Sequence, residues 1–492
     1  MGLNNLDDKE LNKKILSATK WSTINEIIAK LIVPITNMIL ARILAPDAFG
    51  VIATITMIIS FTEMLTDSGF QKYLVQREFN TEEEKHKNAD VAFWSNFILS
   101  LLIFMLIIVF NEELAKMVGN PGLGIVLIIA SLQIPITSFS SIQIALFRRN
   151  FDFKTLFIAR ILGAFIPFIV TIPLALIGFD YWSLIIGMLT LQVFNAIFLT
   201  IKSEWKPKLY FKFDILKNML SFSIWSFLEA LTIWLTIWID TFIIAYYLTE
   251  YYIGIYKTST TMVNSLLALI TSAIIPVLFS ALSRLQNDHK KFIEMYFKFQ
   301  RLIAMFILPI GLGVFIFSDL ATMLILGSQW GEASNVVGAW ALSRSVLIVF
   351  GYTASEVYRS QGKPKYSFYA QLLHLFALVP TCFISIDYGF WSLVYARALI
   401  VLQLVLIHLI LLHYLYNITI VATIKNVFPY IVSVSLMGLF TALLSSLDSS
   451  VVWSFIVIFF SVVIYFTIIM LFPKQRRELL YWLKSYQTIK RI

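Results

Sequence analysis

A chain of 492 residues that is 59% hydrophobic and only 14% charged, with a mean hydropathy of +0.81, is not an ordinary soluble globule, whose usage is about one-half apolar and about one-quarter charged. Its formal net charge of +9 would suggest nucleic acid in a soluble protein. Here the basic residues are dispersed among gaps between apolar runs, where anionic lipid headgroups account for them, and no nucleic-acid partner is expected. The single cysteine, Cys382, excludes an intramolecular disulfide and any multi-cysteine metal site.

The chain opens with a charged, amphipathic segment, residues 1–20, expected to lie on the inner membrane face. About fourteen apolar runs follow, each of roughly 20 residues and so long enough to cross a hydrocarbon core of about 30 Å. The expected spans are 21–44, 50–75, 90–110, 123–146, 155–177 and 182–201. After a basic linker, 202–218, come 219–248, 254–282, 292–317, 334–358, 367–386 and 390–414, then 427–446 and 451–472. A basic tail, 473–492, ends the sequence. No small-residue cleavage site follows the charged start, so the first span is expected to act as its own uncleaved signal. The fold class is therefore an all-α polytopic membrane protein.

Lysine and arginine crowd every second gap. Lys9, Lys13, Lys14 and Lys20 precede the first span; Arg77, Lys85 and Lys87, then Arg148, Arg149 and Lys154, then Lys202, Lys206, Lys208, Lys212 and Lys217 fill later gaps of the same side, and Lys474, Arg476 and Arg477 open the tail. The opposite gaps hold Lys116 and Lys257. By the positive-inside rule both termini are expected in the cytoplasm. The external gaps, such as 44–50 and 387–389, are too short for a catalytic domain.

An internal repeat underlies the pattern. Leu44-Ala45-Pro46-Asp47-Ala48-Phe49-Gly50 resembles Leu248-Thr249-Glu250-Tyr251-Tyr252-Ile253-Gly254; Trp182-Ser183-Leu184 returns as Trp391-Ser392-Leu393, and Leu146-Phe147-Arg148 as Val357-Tyr358-Arg359. These matches keep their order at offsets of about 205 to 211 residues. Six helices per copy is an even number, so the copies are expected to run parallel, as two six-helix lobes (21–201 and 219–414) with a cavity between them and two extra C-terminal helices (427–472).

Charges inside apolar spans cost about 2.5 to 3.5 kcal/mol at mid-bilayer and so mark candidate sites. Glu26 and Lys30 are four apart on one helix face, as are Glu63 and Asp67. The first pair either neutralises itself or serves a substrate; the second places two acids together and needs a partner, a proton or a cation. Glu229 lies near mid-span and Asp240 toward the outside. Arg344 and Arg397 lie within spans, and Lys257 begins one at the outer mouth. Arg42, Asp240, Arg160, Arg301 and Arg359 sit near span ends, where long side chains snorkel. His374, His408 and His413 read as packed polar residues. Trp225, Trp234 and Trp238 read as an interface belt, with sugar stacking as the alternative. No GxxxxGK[ST], HExxH or GxSxG pattern occurs, so neither a nucleotide engine nor an enzyme is expected.

Short motifs in order across the chain carry a resemblance. Leu40-Ala41-Arg42-Ile43-Leu44-Ala45-Pro46-Asp47-Ala48-Phe49-Gly50 is followed by Asp67-Ser68-Gly69-Phe70, Leu74-Val75-Gln76-Arg77, Thr81-Glu82-Glu83, Ala92-Phe93-Trp94 and Arg148-Arg149-Asn150-Phe151-Asp152-Phe153. Trp205-Lys206-Pro207, Asp240, Pro276-Val277-Leu278-Phe279-Ser280-Ala281-Leu282-Ser283-Arg284-Leu285-Gln286 and Gly327-Ser328-Gln329-Trp330 complete it. The chain resembles the Wzx-type polysaccharide transporters of the MOP superfamily, which share a fold with MATE exporters.

That resemblance implies a flippase that moves polyprenyl-diphosphate-linked oligosaccharides to the outer leaflet by alternating access, for capsule, exopolysaccharide, O-antigen or teichuronic-type polymers. It implies a bacterial cytoplasmic membrane, membrane lipids as surroundings, and other polysaccharide-assembly proteins as neighbours. Lys30, Arg42, Lys257, Arg344 and Arg397 are the expected diphosphate and sugar contacts. Glu26, Glu63, Asp67, Glu229 and Asp240 are expected to couple transport to H+ or Na+, with no metal or organic cofactor. One departure stands out: after Gly254 the chain reads Tyr256-Lys257-Thr258 where relatives have a Tyr-Ser-Arg-like stretch, moving the cation by a residue. A MATE-like exporter of amphipathic cations is the alternative on the same fold, and a polytopic polymerase or ligase the alternative of another class.

Overall fold

The computed structural model describes residues 32, 34–67 and 69–479. Twelve helices among these residues are long and apolar enough to cross a membrane, and a thirteenth is added by Glu250–Arg284, which bends by 43° between Ser272 and Ile274. They fall on thirteen of the fourteen apolar runs. The remaining run, 21–44, lies mostly outside the described residues, as do segment 1–20 and the tail beyond 479; its described part is helical over 34–43.

Polar residues at the gaps fix where helices begin. Thr81 accepts the N–H of Glu84, an N-cap for Glu82–Val109, while Glu84 accepts the N–H of Asn80, the residue before the cap. Asp152, Asp288, Thr419 and Ser450 cap Phe153–Ala164, His289–Ile316, Ile420–Ser445 and Val451–Leu471, each satisfying an N–H that the helix leaves open. One expected span is interrupted. The run 50–75 is Pro46–Asp67 followed by a separate short helix, Phe70–Gln76, because Gly69 adopts a φ of 80°, a left-handed conformation open to glycine at little cost. The Arg149 side chain ties down the far end of that short helix by donating to the carbonyls of Leu74 and Val75.

Contacts divide the chain into two compact units, one ending at Thr258 and the other starting at Ser259. This division falls inside Glu250–Arg284 and not in the linker 202–218 that separates the sequence repeats. The reason is that Phe213–Tyr247 packs with the first unit. Trp234 donates to Ser60 at 3.0 Å, and Gly119 lies so close to Ala245 that a Cβ would meet the Ala245 carbonyl. The linker itself is strapped to Glu82–Val109: Asp90 accepts from the Trp205 indole and the Lys208 backbone, both at 3.0 Å, and Trp94 donates to the Lys208 carbonyl at 2.7 Å.

The core of the first unit includes Val51, Ile55, Leu127, Ile134 and Ile185. That of the second gathers Val263, Ile303, Ile307, Val337, Trp340, Leu404, Tyr430 and Tyr465. Exposed large apolar residues such as Leu106, Ile169, Leu443 and Phe459 are what a lipid-facing helix surface presents.

Candidate functional site

In the first unit the two copies of the repeated motif meet. A Cβ on Gly50 would collide with the Glu250 carbonyl, and one on Gly254 with the Pro46 carbonyl. The starts of Pro46–Asp67 and Glu250–Arg284 therefore cross backbone to backbone, each glycine against the residue four before the other. Glycine is required at both places because any side chain would occupy the partner's peptide group.

Beside this crossing lie two expected site residues. Asp240, placed near a span end where it could reach water, is instead buried. Its carboxylate accepts from the Tyr256 hydroxyl at 2.8 Å and from the Thr241 N–H at 2.7 Å, which ties Phe213–Tyr247 to Glu250–Arg284. The Lys257 ammonium stands 3.6 Å from the Trp238 ring centroid and donates to the Ile237 carbonyl, a cation–π geometry. Trp238 is thus the seat of a lysine.

Glu63 and Asp67 share a face of Pro46–Asp67. The Thr137 hydroxyl is within reach of Glu63 and of the Ile134 carbonyl. The Asp67 carboxylate faces Gln71 and the N–H groups where the next helix starts, with Lys72 nearby, and its Oδ1 is buried without a hydrogen-bond partner. Arg42 is exposed. Glu26, Lys30 and the side chain of Glu229 lie outside the described residues.

In the second unit Arg344 and Arg397 come together on one aromatic ring. Trp340 and Arg344 are four apart on Ala333–Leu347, so they share a face, and Phe390–Leu399 brings Arg397 to the same place. The guanidinium carbons stand 4.7 and 5.2 Å from the Trp340 centroid. The Trp340 indole donates to Asn264 at 3.3 Å, and Arg344 donates to the Tyr352 hydroxyl at 3.4 Å. Tyr352 closes a π-helical turn, Ile348–Tyr352, a local widening that often accompanies function. Arg397 is buried, and the Nε of Arg344 is buried with no partner.

Sequence reasoning named both arginines but missed Trp340, Asn264 and Tyr352; the spacing from Trp340 to Arg344 was the available signal. Other in-span charges have structural partners. Arg301 is buried and paired with Glu478, Arg359 pairs with Glu356, and His374 bonds Gln403 at 2.9 Å. No group of His, Cys, Asp and Glu able to hold a metal occurs among the described residues.

These features define a class: a polytopic helical membrane protein with charged groups held inside its spans. The solved lipid II flippase MurJ, in an inward closed conformation, shares the fold with a TM-score of 0.75 at 17% identity, over 94% of this chain and 98% of that one. The family described as "Polysaccharide biosynthesis protein" matches residues 39–335, and the chain belongs to that family. It is 25% identical over 313 residues to the succinoglycan biosynthesis transport protein ExoT of Rhizobium meliloti (strain 1021), a match that spans 64% of this chain and 63% of that protein's length. It is 21% identical over 381 residues to the lipopolysaccharide biosynthesis protein WzxC of Escherichia coli (strain K12), covering 76% of each. The resemblance drawn from the motifs is borne out at the level of family and fold.

Proposed function

We propose that this protein carries a polyprenyl-diphosphate-linked oligosaccharide from the cytoplasmic to the outer leaflet of a bacterial cytoplasmic membrane. The observation that carries the reading is the Arg344–Trp340–Arg397 group, in which one guanidinium nitrogen is buried without a partner. Guanidinium groups are suited to an anion that must shed water, because they bind phosphate oxygens through paired donors. Trp340, buried beneath them, holds both groups in place. The roles of the relatives, in biosynthesis and transport of polysaccharides, support a carrier over a polymerase or ligase.

Transport proceeds by alternating access of the two repeat-related lobes, with both termini cytoplasmic and the polyprenyl tail left in lipid. Arg344 and Arg397 take the diphosphate. Glu63, Asp67 and Glu229 bind a proton or sodium ion that resets the carrier. An anionic headgroup also gains about 2.3 kcal/mol per charge per 100 mV when it moves outward across an interior-negative potential, so ion coupling assists a step that the potential already favours.

The test is flipping of a short-chain polyprenyl-diphosphate oligosaccharide in proteoliposomes, with and without an imposed potential. Wild type is compared with Arg344→Ala plus Arg397→Ala. Potential-driven flipping that the double substitution abolishes is the expected result. The acid pair with its unpartnered Asp67 oxygen favours a second reading, a MATE-like exporter of amphipathic cations. In that case wild type moves no glycolipid, and cation export survives loss of both arginines.

A further inference from the structure

The first residues of the tail, 473–479, are helical and have two unlike faces. Gln475 and Leu479 are buried and Glu478 is half-buried beside them, whereas Lys474, Arg476 and Arg477 are exposed. Positions 475, 478 and 479 recur at helical spacing, so one stripe docks while the other stays basic. Glu478 is the sole acid in the sequence from 473 to 492, and it is spent on a buried group of another span. Arg301, on His289–Ile316, donates through Nε to Oε2 at 3.0 Å and through Nη2 to Oε1 at 2.6 Å, a two-pronged pairing that fixes orientation as well as charge.

The pairing continues inward. The other arm of Arg301 donates to Asn426 Oδ1 at 2.5 Å, and the Asn426 amide donates to Gln300 Oε1 and the Phe297 carbonyl, both at 3.0 Å. Gln300 in turn donates to the Val349 carbonyl at 3.5 Å, the longest link, and Thr353 donates to the same carbonyl at 2.7 Å. Val349 lies inside the π-helical turn Ile348–Tyr352. A π turn shifts the regular backbone ladder, and here the Val349 carbonyl is held by the two side-chain donors. Tyr352, the last residue of the turn, is the one that meets Arg344. A chain of hydrogen bonds therefore runs from the tail to the turn that presents Tyr352 to the arginine group, entirely within the second unit.

We propose that Glu478 is a positioning residue: docked on Arg301, it holds the π turn through Asn426 and Gln300 and so sets the geometry in which Tyr352 meets Arg344. The tail is then part of the substrate machinery, and release of residues 473–479 from the second unit loosens the turn at the far end of this hydrogen-bond chain. The proposal rests on the anion-site reading only for what Arg344 binds. Its test therefore begins without substrate.

The test measures amide hydrogen exchange of the full-length protein in lipid nanodiscs, read by mass spectrometry over peptides containing Ile348–Tyr352. Glu478→Gln removes the ion pair at nearly constant size, and Asn426→Leu cuts the chain while leaving Glu478 and Arg301 paired. Exposed Arg476→Gln is the control. Exchange across the turn is expected to rise by about fivefold or more in both test variants and to stay unchanged in the control. Peptides from Glu82–Val109 keep their wild-type rate. If Glu478→Gln accelerates exchange in both units, it has loosened the whole fold, and Asn426→Leu together with Gln300→Leu decides the matter. An unchanged turn in Asn426→Leu overturns the proposal whatever the tail does. In the flipping assay both variants raise the half-saturating substrate concentration more than they lower the maximal rate. Absence of flipping in wild type with the exchange result intact would sink the anion-site reading alone.

Discussion

Gly254→Ala addresses the reciprocal crossing of the two repeat copies. The new methyl group would lie well inside van der Waals distance of the Pro46 carbonyl oxygen, so the two backbones must part by about 1.5 Å to reach ordinary contact. Neither partner is a flexible side chain that could swing away. Parting loses two close backbone approaches, each worth about 0.5–1 kcal/mol if it is a weak C–H to oxygen contact, and adds overpacking strain of about 1–3 kcal/mol. A loss of about 2–5 kcal/mol is expected, which for a unit of about 250 residues lowers Tm by about 4 to 20 °C. Gly50→Ala at the other half of the crossing, against Glu250, should cost a similar amount. The double variant is the sharper measurement. Once one methyl has forced the backbones apart, the second enters space already opened, so the double should fall short of the sum by about 1 kcal/mol or more. Thermal unfolding in detergent, followed by tryptophan fluorescence, reads all three. A Gly254→Ala protein that melts with wild type, or a double variant that is strictly additive, would refute the crossing.

Three further outcomes follow from the same structure. Arg344→Lys keeps the charge but loses the planar group that lies on Trp340 and reaches Tyr352, so flipping should drop about tenfold, with Arg344→Ala lower still; equal rates for lysine and arginine would show that charge alone matters. Tyr256→Phe takes a hydroxyl from buried Asp240 and should cost about 1.5–3 kcal/mol, read as a lowered Tm; a neutral result would mean that the carboxylate finds another donor. Trp205→Phe removes an indole bond to Asp90 while the Lys208 N–H keeps its own. It should therefore cost only about 1 kcal/mol, and protease sensitivity of the linker 203–212 should rise; an unaltered digestion pattern would show that the strap does not depend on it.

The spans were legible because each needs a run of apolar residues, and polar gaps mark where each helix can be capped. The break at Gly69 was not, since three short residues between two apolar stretches do not disturb a hydropathy pattern. In-span charges were equally visible, but their partners were not. Arg301 finds Glu478 across 177 positions and Asp240 finds Tyr256 across 16, and nothing local in the sequence announces either. Trp340 is the instructive omission. It sits one helical turn from Arg344, which was the visible part of the signal, whereas the arrival of Arg397 depends on packing of a separate helix. Glu26, Lys30 and Glu229 carry the sequence expectation unchanged, because their side chains lie outside the described residues.

Hydrogen bonding separates structural charges from those still able to bind something. Asp240 is occupied by Tyr256 and Thr241, Arg301 by Glu478 and Asn426, and Glu356 by Arg359. Among the described residues, the charged side chains with a buried atom lacking any partner are Asp67, at Oδ1, and Arg344, at Nε. A buried orphan on a charged group is costly and is ordinarily removed by packing or by a partner. On the proposed function, Arg344 Nε, in the second unit, is open to the anionic cargo and Asp67 Oδ1, in the first, to a coupling cation. The two should then respond to different variables. Asp67→Asn should alter the dependence of flipping on proton or sodium gradients while leaving its dependence on glycolipid concentration near wild type, and Arg344→Ala should do the reverse. Both variants shifting both dependences alike would mean that the orphans are a feature of packing and not of transport.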